Sequence, residues 1–521
     1  MESSEFVALG IAVLVACIIG ALCRNRGWNS ALVLLFSGIV LGLPDFTLGP
    51  ELDPELILLL VLAPLVFGEA LSSSILDIRR VGARVSALAI LLVLIGAALV
   101  GVAASLILPG LALPAALCLG AVLGPTDAVS VASTAKSAGL PRRVLHVLEG
   151  ESLLNDGTAL SLLRIFISVT AAGAVVASEL LVTTALAFGG GIVVGVIGGV
   201  VLHQIAMRSR DSTVTNGLLL LAPLPIYGIA ELVQGSGILA VVIAALIFGQ
   251  RTSSATGYRG RLQATSIWRA FTFILQSSAF FLVGMGVPIE FRKVPADQLS
   301  VVPLFVAVVL VLLIVSRFAF VYVMGAVGGR LKAHPREWVV LGWAGTRGPI
   351  SVLAALTIPK VLDDGSYFPD RALIIFSTSA VVVVSLLLST TLPAVVRWAR
   401  LTPDDEEAEL RRAKLAISRA ALDCLDDVAD QAARLDQPID SQVLANLRSA
   451  AEVRLAMTNP SDTEATAGEL VVEQRQQVGL AMIRAEQEEL LRLRDNDALP
   501  DSLFRQLQLE IDARRRTLLG S

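Results

Sequence analysis

Cysteine is scarce in this chain and follows no pattern. Four occur, Cys17, Cys23, Cys118 and Cys424, at spacings that suit neither a disulfide framework nor a zinc site. The opening residues, Met1-Glu-Ser-Ser-Glu5, lack the basic stretch that begins a cleaved signal peptide. A phosphate loop, zinc ligands and a nucleotide-binding signature are all missing from residues 401–521, which leaves no hook there for a cofactor or a nucleic acid. Charge is sparse as well: 17% of residues are Asp, Glu, Lys or Arg, against 55% hydrophobic, and the mean hydropathy is +0.75. That balance excludes an ordinary soluble protein. Repeated apolar stretches of about 20 residues imply an all-α polytopic membrane protein, because a helix pairs all its backbone polar groups internally.

The charge present is unevenly placed. Residues 1–400 hold 26 Lys and Arg against 21 Asp and Glu, whereas residues 401–521 hold 15 against 24. A transmembrane domain over 1–400 and an acidic helical domain over 401–521 are expected. Thirteen spans fit the apolar runs, at about 6–23, 29–43, 54–76, 84–108, 113–135, 144–169, 179–206, 213–232, 236–250, 268–288, 301–325, 337–360 and 371–396. The loops following odd-numbered spans carry 19 Lys and Arg, and the opposite loops only Arg292, Lys293, Lys360 and Arg371. The positive-inside rule then puts the N-terminus outside and the C-terminus in the cytoplasm.

Against this apolar background Glu149-Gly-Glu-Ser-Leu-Leu-Asn-Asp-Gly157 stands out. Five polar side chains, Glu149, Glu151, Ser152, Asn155 and Asp156, fall inside an expected span. Each charge at such depth costs several kcal/mol unless paired or hydrated, so the default reading is an ion or proton pathway. Ser152 and Asp156 are four residues apart and share a helix face, as do Glu151 and Asn155. A hydroxyl and a carboxylate on one face supply hard oxygen ligands for a small cation. The plainer reading is a polar knot that holds helices together.

Two other spans are interrupted, at Gly124-Pro-Thr-Asp127 and at Gly345-Thr-Arg-Gly-Pro349. A mid-span Gly-Pro removes a backbone hydrogen bond, and unwound backbone at membrane depth is tolerated only where it lines a cavity or is buried in protein. With span seven as a linker, spans one to six and eight to thirteen form two inverted six-helix repeats, and each break falls in the fifth span of its repeat. Such paired, crossed broken helices point to a midplane binding site. Asp127 is placed to cap exposed amides where span five restarts. Arg164, Arg317 and Arg347 are the three basic residues within spans: Arg164 is near an outer end and free to snorkel, while the other two call for acidic partners. Glu231, close to the outer end of span eight, reads as an ordinary interfacial residue.

These motifs together resemble the monovalent cation:proton antiporters, specifically the bacterial and archaeal sodium/proton antiporters related to animal sodium/proton exchangers. The likeness runs over nearly all of residues 6–400. Pro64-Leu-Val-Phe-Gly-Glu-Ala70 is similar to the family's Pro-x-x-Phe-Glu-Ala stretch with one Gly inserted, and Ser316-Arg-Phe-Ala-Phe-Val-Tyr322 resembles its arginine-bearing span. The resemblance implies that Asp156 alternately holds the cation and the proton. Ser152 and Thr126 would supply further oxygens to Na+, Thr126 through its main-chain carbonyl, with Asp127 beside the ion. Glu151 would pair with Arg347, and Glu69 with Arg317. Electroneutral relatives carry Asn at the position of Asn155 where electrogenic ones carry Asp, so one sodium for one proton is implied. The resemblance also implies sodium or lithium as substrate, a homodimer in the cell membrane, a role in pH and sodium homeostasis, no cofactor beyond the transported Na+ and H+, and no enzymatic activity.

Three other functions remain in view. A potassium/proton antiporter would use the same ligand types. A cation channel would need a ring of ligands, whereas this chain offers one asymmetric cluster. A membrane-embedded aspartic protease would pair Asp127 with Asp156 but leaves the arginines and matched breaks unexplained. The tail reads as a small helical bundle, packing on itself or on its copy in a dimer, with Leu415, Ile417, Ala421, Leu422 and Leu425 on an apolar face. A regulatory role sensing pH or a ligand rests on analogy with other antiporter tails.

Overall fold

The computed structural model describes residues 3–43, 58–73, 75–127, 140–172, 177–209, 211–255, 258–327, 335–362, 365–401, 440–458 and 480–490, with scattered positions elsewhere in the tail. It divides into two compact units, Met1–Pro403 and Asp404–Ser521. In the first unit the helices are α1 (Ser3–Arg26), α2 (Ser30–Gly42), α3 (Ala63–Ser72), α4 (Ile75–Ile107), α5 (Leu113–Val122), α6 (Arg142–Ala172) and α7 (Ala177–Arg208). They continue as α8 (Ser212–Leu221), α9 (Pro223–Leu232), α10 (Gly237–Ala255), α11 (Tyr258–Phe291) and the single turn α12 (Ala296–Leu299). The series ends with α13 (Val302–Val327), α14 (Pro335–Trp343), α15 (Pro349–Leu356), α16 (Arg371–Ser389) and α17 (Leu392–Ala399). Among the described residues, seven of these helices and the continuous α8–α9 stretch are long and apolar enough to cross a bilayer, and four shorter helices are also apolar. The chain is a multi-pass, helical membrane protein.

Each of the thirteen expected ranges contains a helix, but the ends move. Helices α4 and α11 run for 33 and 34 residues, about 50 Å at 1.5 Å per residue, against a hydrocarbon core of about 30 Å. Their charged first turns, with Asp77, Arg79 and Arg80 in α4 and Arg259 and Arg261 in α11, stay helical beyond the apolar part. Hydropathy detects only the segment that lipid must cover, so it places these starts too late. Prolines mark several restarts: Pro114, Pro223 and Pro349 sit in the first turn of α5, α9 and α15, where the missing N–H has no intrahelical acceptor to lose. The range read as span eight is thereby divided into α8 and α9.

Packing relies on close backbone approach, since apolar side chains gain little by leaving lipid for protein. Helices α2 and α11 meet at Gly38 and Gly284, where a Cβ on either residue would collide with the other helix's backbone. Among the described residues, three buried clusters in this unit are the largest. One joins α4, α5, α6, α13, α15 and α16. A second joins α3 and α7 to α11. A third joins α1, α2 and α11 to α15 and α16. Leu160 on α6 packs against both of the first two, so α6 lies between two bundles.

In the second unit, α18 (Ser441–Thr458) is helical, and Ile483, Leu490 and Ile511 form a small buried cluster beside an Arg514–Glu486 ion pair of 2.9 Å. The expected apolar face is only half sheltered. Leu415, Leu422 and Leu425 are partly buried, but Ile417 is 69% exposed. Ala421's side chain lies outside the described residues.

Candidate ion-binding site

The two breaks meet in space. Helix α5 ends at Val122 and the chain continues unwound through Gly124-Pro-Thr-Asp127; helix α14 ends at Trp343 and α15 begins only at Pro349. The Asp127 N–H donates to the Thr346 carbonyl at 2.8 Å, joining the two unwound segments. Asp127's side chain lies against Gly348, the residue before α15, and leaves no room there for a Cβ. A carboxylate therefore stands at the positive end of α15. The restart of span five, where Asp127 was expected to cap, falls outside the described residues.

Three guanidinium groups take the opposite ends. Arg347 donates through Nε to the Leu123 carbonyl at 2.6 Å and through Nη1 to Gly345 at 2.8 Å, covering the carbonyl end of α5. Arg317 donates through Nε to Leu341 at 2.7 Å, near the end of α14. Arg371, read from sequence only as a loop charge, donates to Ile358 and Leu356 at 2.7 and 2.9 Å and so caps α15. Each puts positive charge where unpaired carbonyls collect negative charge. The Arg347 N–H itself donates to the Ser385 hydroxyl at 2.8 Å. Sequence reasoning missed Ser385, since nothing in an apolar run distinguishes it from a serine that merely bonds its own helix.

Helix α6 crosses beside the unwound Thr126. The Ser152 hydroxyl donates to the Thr126 carbonyl at 2.8 Å. Asn155 Nδ2 donates to Thr126 Oγ1 at 2.7 Å, and that hydroxyl donates onward to Glu151 Oε1 at 3.1 Å. Thr126, Asp127, Glu151, Ser152, Asn155 and Asp156 are all buried.

The acid–base pairing corrects the expectation. Glu151 takes Arg317, in a two-pronged contact of 2.5 and 2.7 Å, with both side chains 3% exposed or less. Arg347 was the expected partner, but its guanidinium is committed to the carbonyl ends of the crossing. Arg317, on α13, reaches the end of α14 and Glu151 together. Glu69 was the expected partner of Arg317, whose two terminal nitrogens hold Glu151. Glu69 is half-buried on α3, with Gln276, Asp127 and Asp156 within electrostatic reach. Glu149, one turn before Ser152, is half-buried. Arg164 and Glu231 are both partly exposed, as residues near a membrane surface are. They form an ion pair at 2.8 Å, and Arg164 also donates to the Gly235 carbonyl at 3.2 Å.

What remains is Asp156. It is 1% exposed, and among the described residues both carboxylate oxygens lack a hydrogen-bond partner, as does Asn155 Oδ1. Glu151 is matched by Arg317, and Asp127 faces a helix N-terminus. An ionised Asp156 has neither kind of match, and an isolated buried carboxylate is strongly disfavoured. A monovalent cation or a proton is the kind of partner that such a carboxylate can take. The neighbouring oxygens of Ser152 and Thr126 are the hard ligands that such a cation takes. Among the described residues, no group of three or more His, Cys, Asp and Glu forms a resident metal site.

Comparisons with known proteins give the family and the fold. Residues 11–398 match a family model described as "Sodium/hydrogen exchanger, transmembrane". The chain is 33% identical over 531 aligned residues to an uncharacterized Na+/H+ exchanger of Mycobacterium tuberculosis, covering 98% of this chain and 95% of the relative. It is 28% identical to a "Sodium, potassium, lithium and rubidium/H(+) antiporter" of Bacillus pumilus, over 80% of this chain and 66% of the relative. In fold it resembles the sodium proton antiporter MjNhaP1 of Methanocaldococcus jannaschii, with a TM-score of 0.63 at 17% identity, covering 76% of this chain and 99% of that one.

Proposed function

The chain belongs to the sodium/hydrogen exchanger family, and from that premise we propose that it exchanges sodium or lithium for protons, one for one, by alternating access. The family places it among membrane antiporters of monovalent cations and protons rather than among enzymes. The observation that carries the finer reading is the buried, unpartnered carboxylate of Asp156 beside Ser152 and the Thr126 carbonyl. One carboxylate serves two competitors. With the cation bound it is ionised; with the proton bound it is neutral and holds no cation. Either loaded form crosses the closed, dry state without an unmatched charge, whereas the unloaded ionised form does not, which suppresses leak.

Charge accounting supports the one-to-one ratio. Asn155 is neutral and lends its amide to Thr126, Glu151 is held by Arg317, and Asp156 alone then changes charge during the cycle. Thr126 and Ser152 act as oxygen ligands. Asp127, Arg347 and Arg317 hold the crossing, and Glu69 adds negative potential. Movement of the bundle containing α5, α6, α15 and α16 against the other gives access from either side. We place the protein in the plasma membrane as a homodimer, N-terminus outside and acidic tail in the cytoplasm, serving pH and sodium homeostasis. A second reading, potassium/proton exchange, is favoured by the name of the Bacillus relative.

The test is proton movement in liposomes after addition of sodium, lithium or potassium, with and without a membrane-potential clamp. Exchange with sodium and lithium at a rate indifferent to the clamp is expected. A potassium-only response would select the second reading, and a clamp-dependent rate would refute the one-to-one ratio.

A further inference from the structure

The ion pairs of the membrane unit differ in what they join. Arg317–Glu151 lies within one bundle, between α13 and α6, and Lys293–Glu290 within α11. Arg164–Glu231 joins two bundles. Arg164 is on α6, whose Ala159, Leu162 and Leu163 belong to the cluster shared with α4, α5, α13, α15 and α16. Glu231 is on α9, whose Ile226 and Ala230 belong to the cluster shared with α3, α7 and α10. Arg164 Nη1 meets Glu231 Oε2 at 2.8 Å and also donates to the Gly235 carbonyl at 3.2 Å. One guanidinium thus grips both the end of α9 and the turn that leads into α10.

The receiving turn is held firmly. The Gly235 N–H donates to the Ala230 carbonyl at 2.8 Å, and the Ser236 N–H donates to the Ala187 carbonyl of α7 at 2.8 Å. Glu231 Oε1 accepts from the Gly237 N–H at 3.1 Å, which fixes the carboxylate. Gly235 and Gly190 of α7 approach so closely that neither has room for a Cβ. Helices α7, α9 and α10 therefore share one frame. On the other side, Asp156, Leu160 and Arg164 recur every four residues and lie along one face of α6. Arg164 is two turns, about 12 Å, from Asp156. Between them Leu160 packs against both clusters, and Gly157 lies beside Leu239 of α10. The grip of Arg164 is thus on the helix that carries Asp156.

We propose that Arg164 is a latch between the bundles: its contacts with Glu231 and Gly235 form in one access state and release in the other. This rests on the reading that α6 carries Asp156 in a bundle that moves against α7, α9 and α10. An ion pair is lost beyond about 4 Å, so any larger slide of α6 must release this one. Partial exposure, at 40% and 34%, suits the task. Water takes over both charges on release, and such a pair is weak enough to break in every cycle. A buried pair such as Arg317–Glu151 would strand its charges and cannot serve. With the N-terminus outside, the latch sits toward the outer end of α6 and favours the state closed to the outside. Removing it shifts the population toward the outward-open state. Apparent affinity at each face scales with the fraction of protein open to that face.

The test is the sodium dependence of exchange in right-side-out and everted membrane vesicles, for Arg164→Gln and Glu231→Gln. Each should lower the apparent KM for sodium at the outer face about two- to fivefold, the weight of one partly exposed pair, and raise it at the inner face. A brace that merely held the fold together would change the amount of protein and neither constant. A second measurement uses Arg164→Cys with Glu231→Cys in a background whose four cysteines are replaced by alanine. Bridged by a short bifunctional thiol reagent, this variant should stop exchanging until a reductant cleaves the bridge. Unchanged constants at both faces in folded variants, or full exchange through the intact bridge, would overturn the latch alone. A parent without cation-driven proton flux would instead overturn the reading on which it rests.

Discussion

Removing Arg317 should damage this protein more than removing Arg317 and the charge of Glu151 together. The pair is buried, with side chains 3% and 2% exposed, and two contacts join it. In Arg317→Met, Glu151 keeps the hydrogen bond from Thr126, and the Leu341 carbonyl loses its donor. Stranding one member of a buried ion pair costs about 3–5 kcal/mol, and the lost carbonyl bond adds about 1 kcal/mol. In Glu151→Gln with Arg317→Met no charge is stranded, the amide still accepts from Thr126, and methionine fills much of the volume. A double-mutant cycle on unfolding in mixed detergent micelles should therefore show a coupling of at least about 2 kcal/mol. Lysine at position 317 should rescue poorly, since one ammonium cannot reproduce both contacts and the bond to Leu341. Additivity within about 0.5 kcal/mol would refute the pairing. So would strong coupling of Glu151 to Arg347 in place of Arg317.

Two further outcomes follow from the crossing and its rim. Gly348→Ala places a Cβ against the Asp127 side chain; exchange activity in liposomes should fall at least about tenfold, whereas Gly286→Ala, with open space around it, should cost only what an ordinary helix substitution does. The Arg164–Glu231 pair is partly exposed, at 40% and 34%, so Glu231→Gln should lower unfolding stability by no more than about 1 kcal/mol in detergent, an effect further reduced at high salt.

The polar core was legible in sequence because the bilayer makes it conspicuous. Carboxylates in an apolar run demand an explanation, and Gly124-Pro125 and Gly348-Pro349 cannot continue a helix unbroken. That much located Asp156, Ser152, Thr126 and both breaks. The partners of the charges were not legible, because pairing depends on where helices distant in sequence come to lie. Arg317 and Arg347 look equivalent as isolated guanidiniums in apolar runs; only the position of α13 beside the end of α14 distinguishes their roles. Only the fold shows that Asp127, read in sequence as a cap for its own span, stands at the start of α15. Serines were the least informative residues. Ser377 and Ser379 are two apart in the same helix, and only the fold shows that one bonds its own backbone while the other does not.

The central claim is that Asp156 alternately holds cation and proton, and Asp156→Asn tests it most directly. Asparagine keeps the shape and the oxygen but cannot exchange a proton. With purified protein in liposomes and an inside pH dye, the parent should move protons on addition of sodium. The folded variant, eluting from detergent gel filtration as the parent does, should show none above protein-free vesicles. Sodium-driven proton movement retained in that variant would contradict the account.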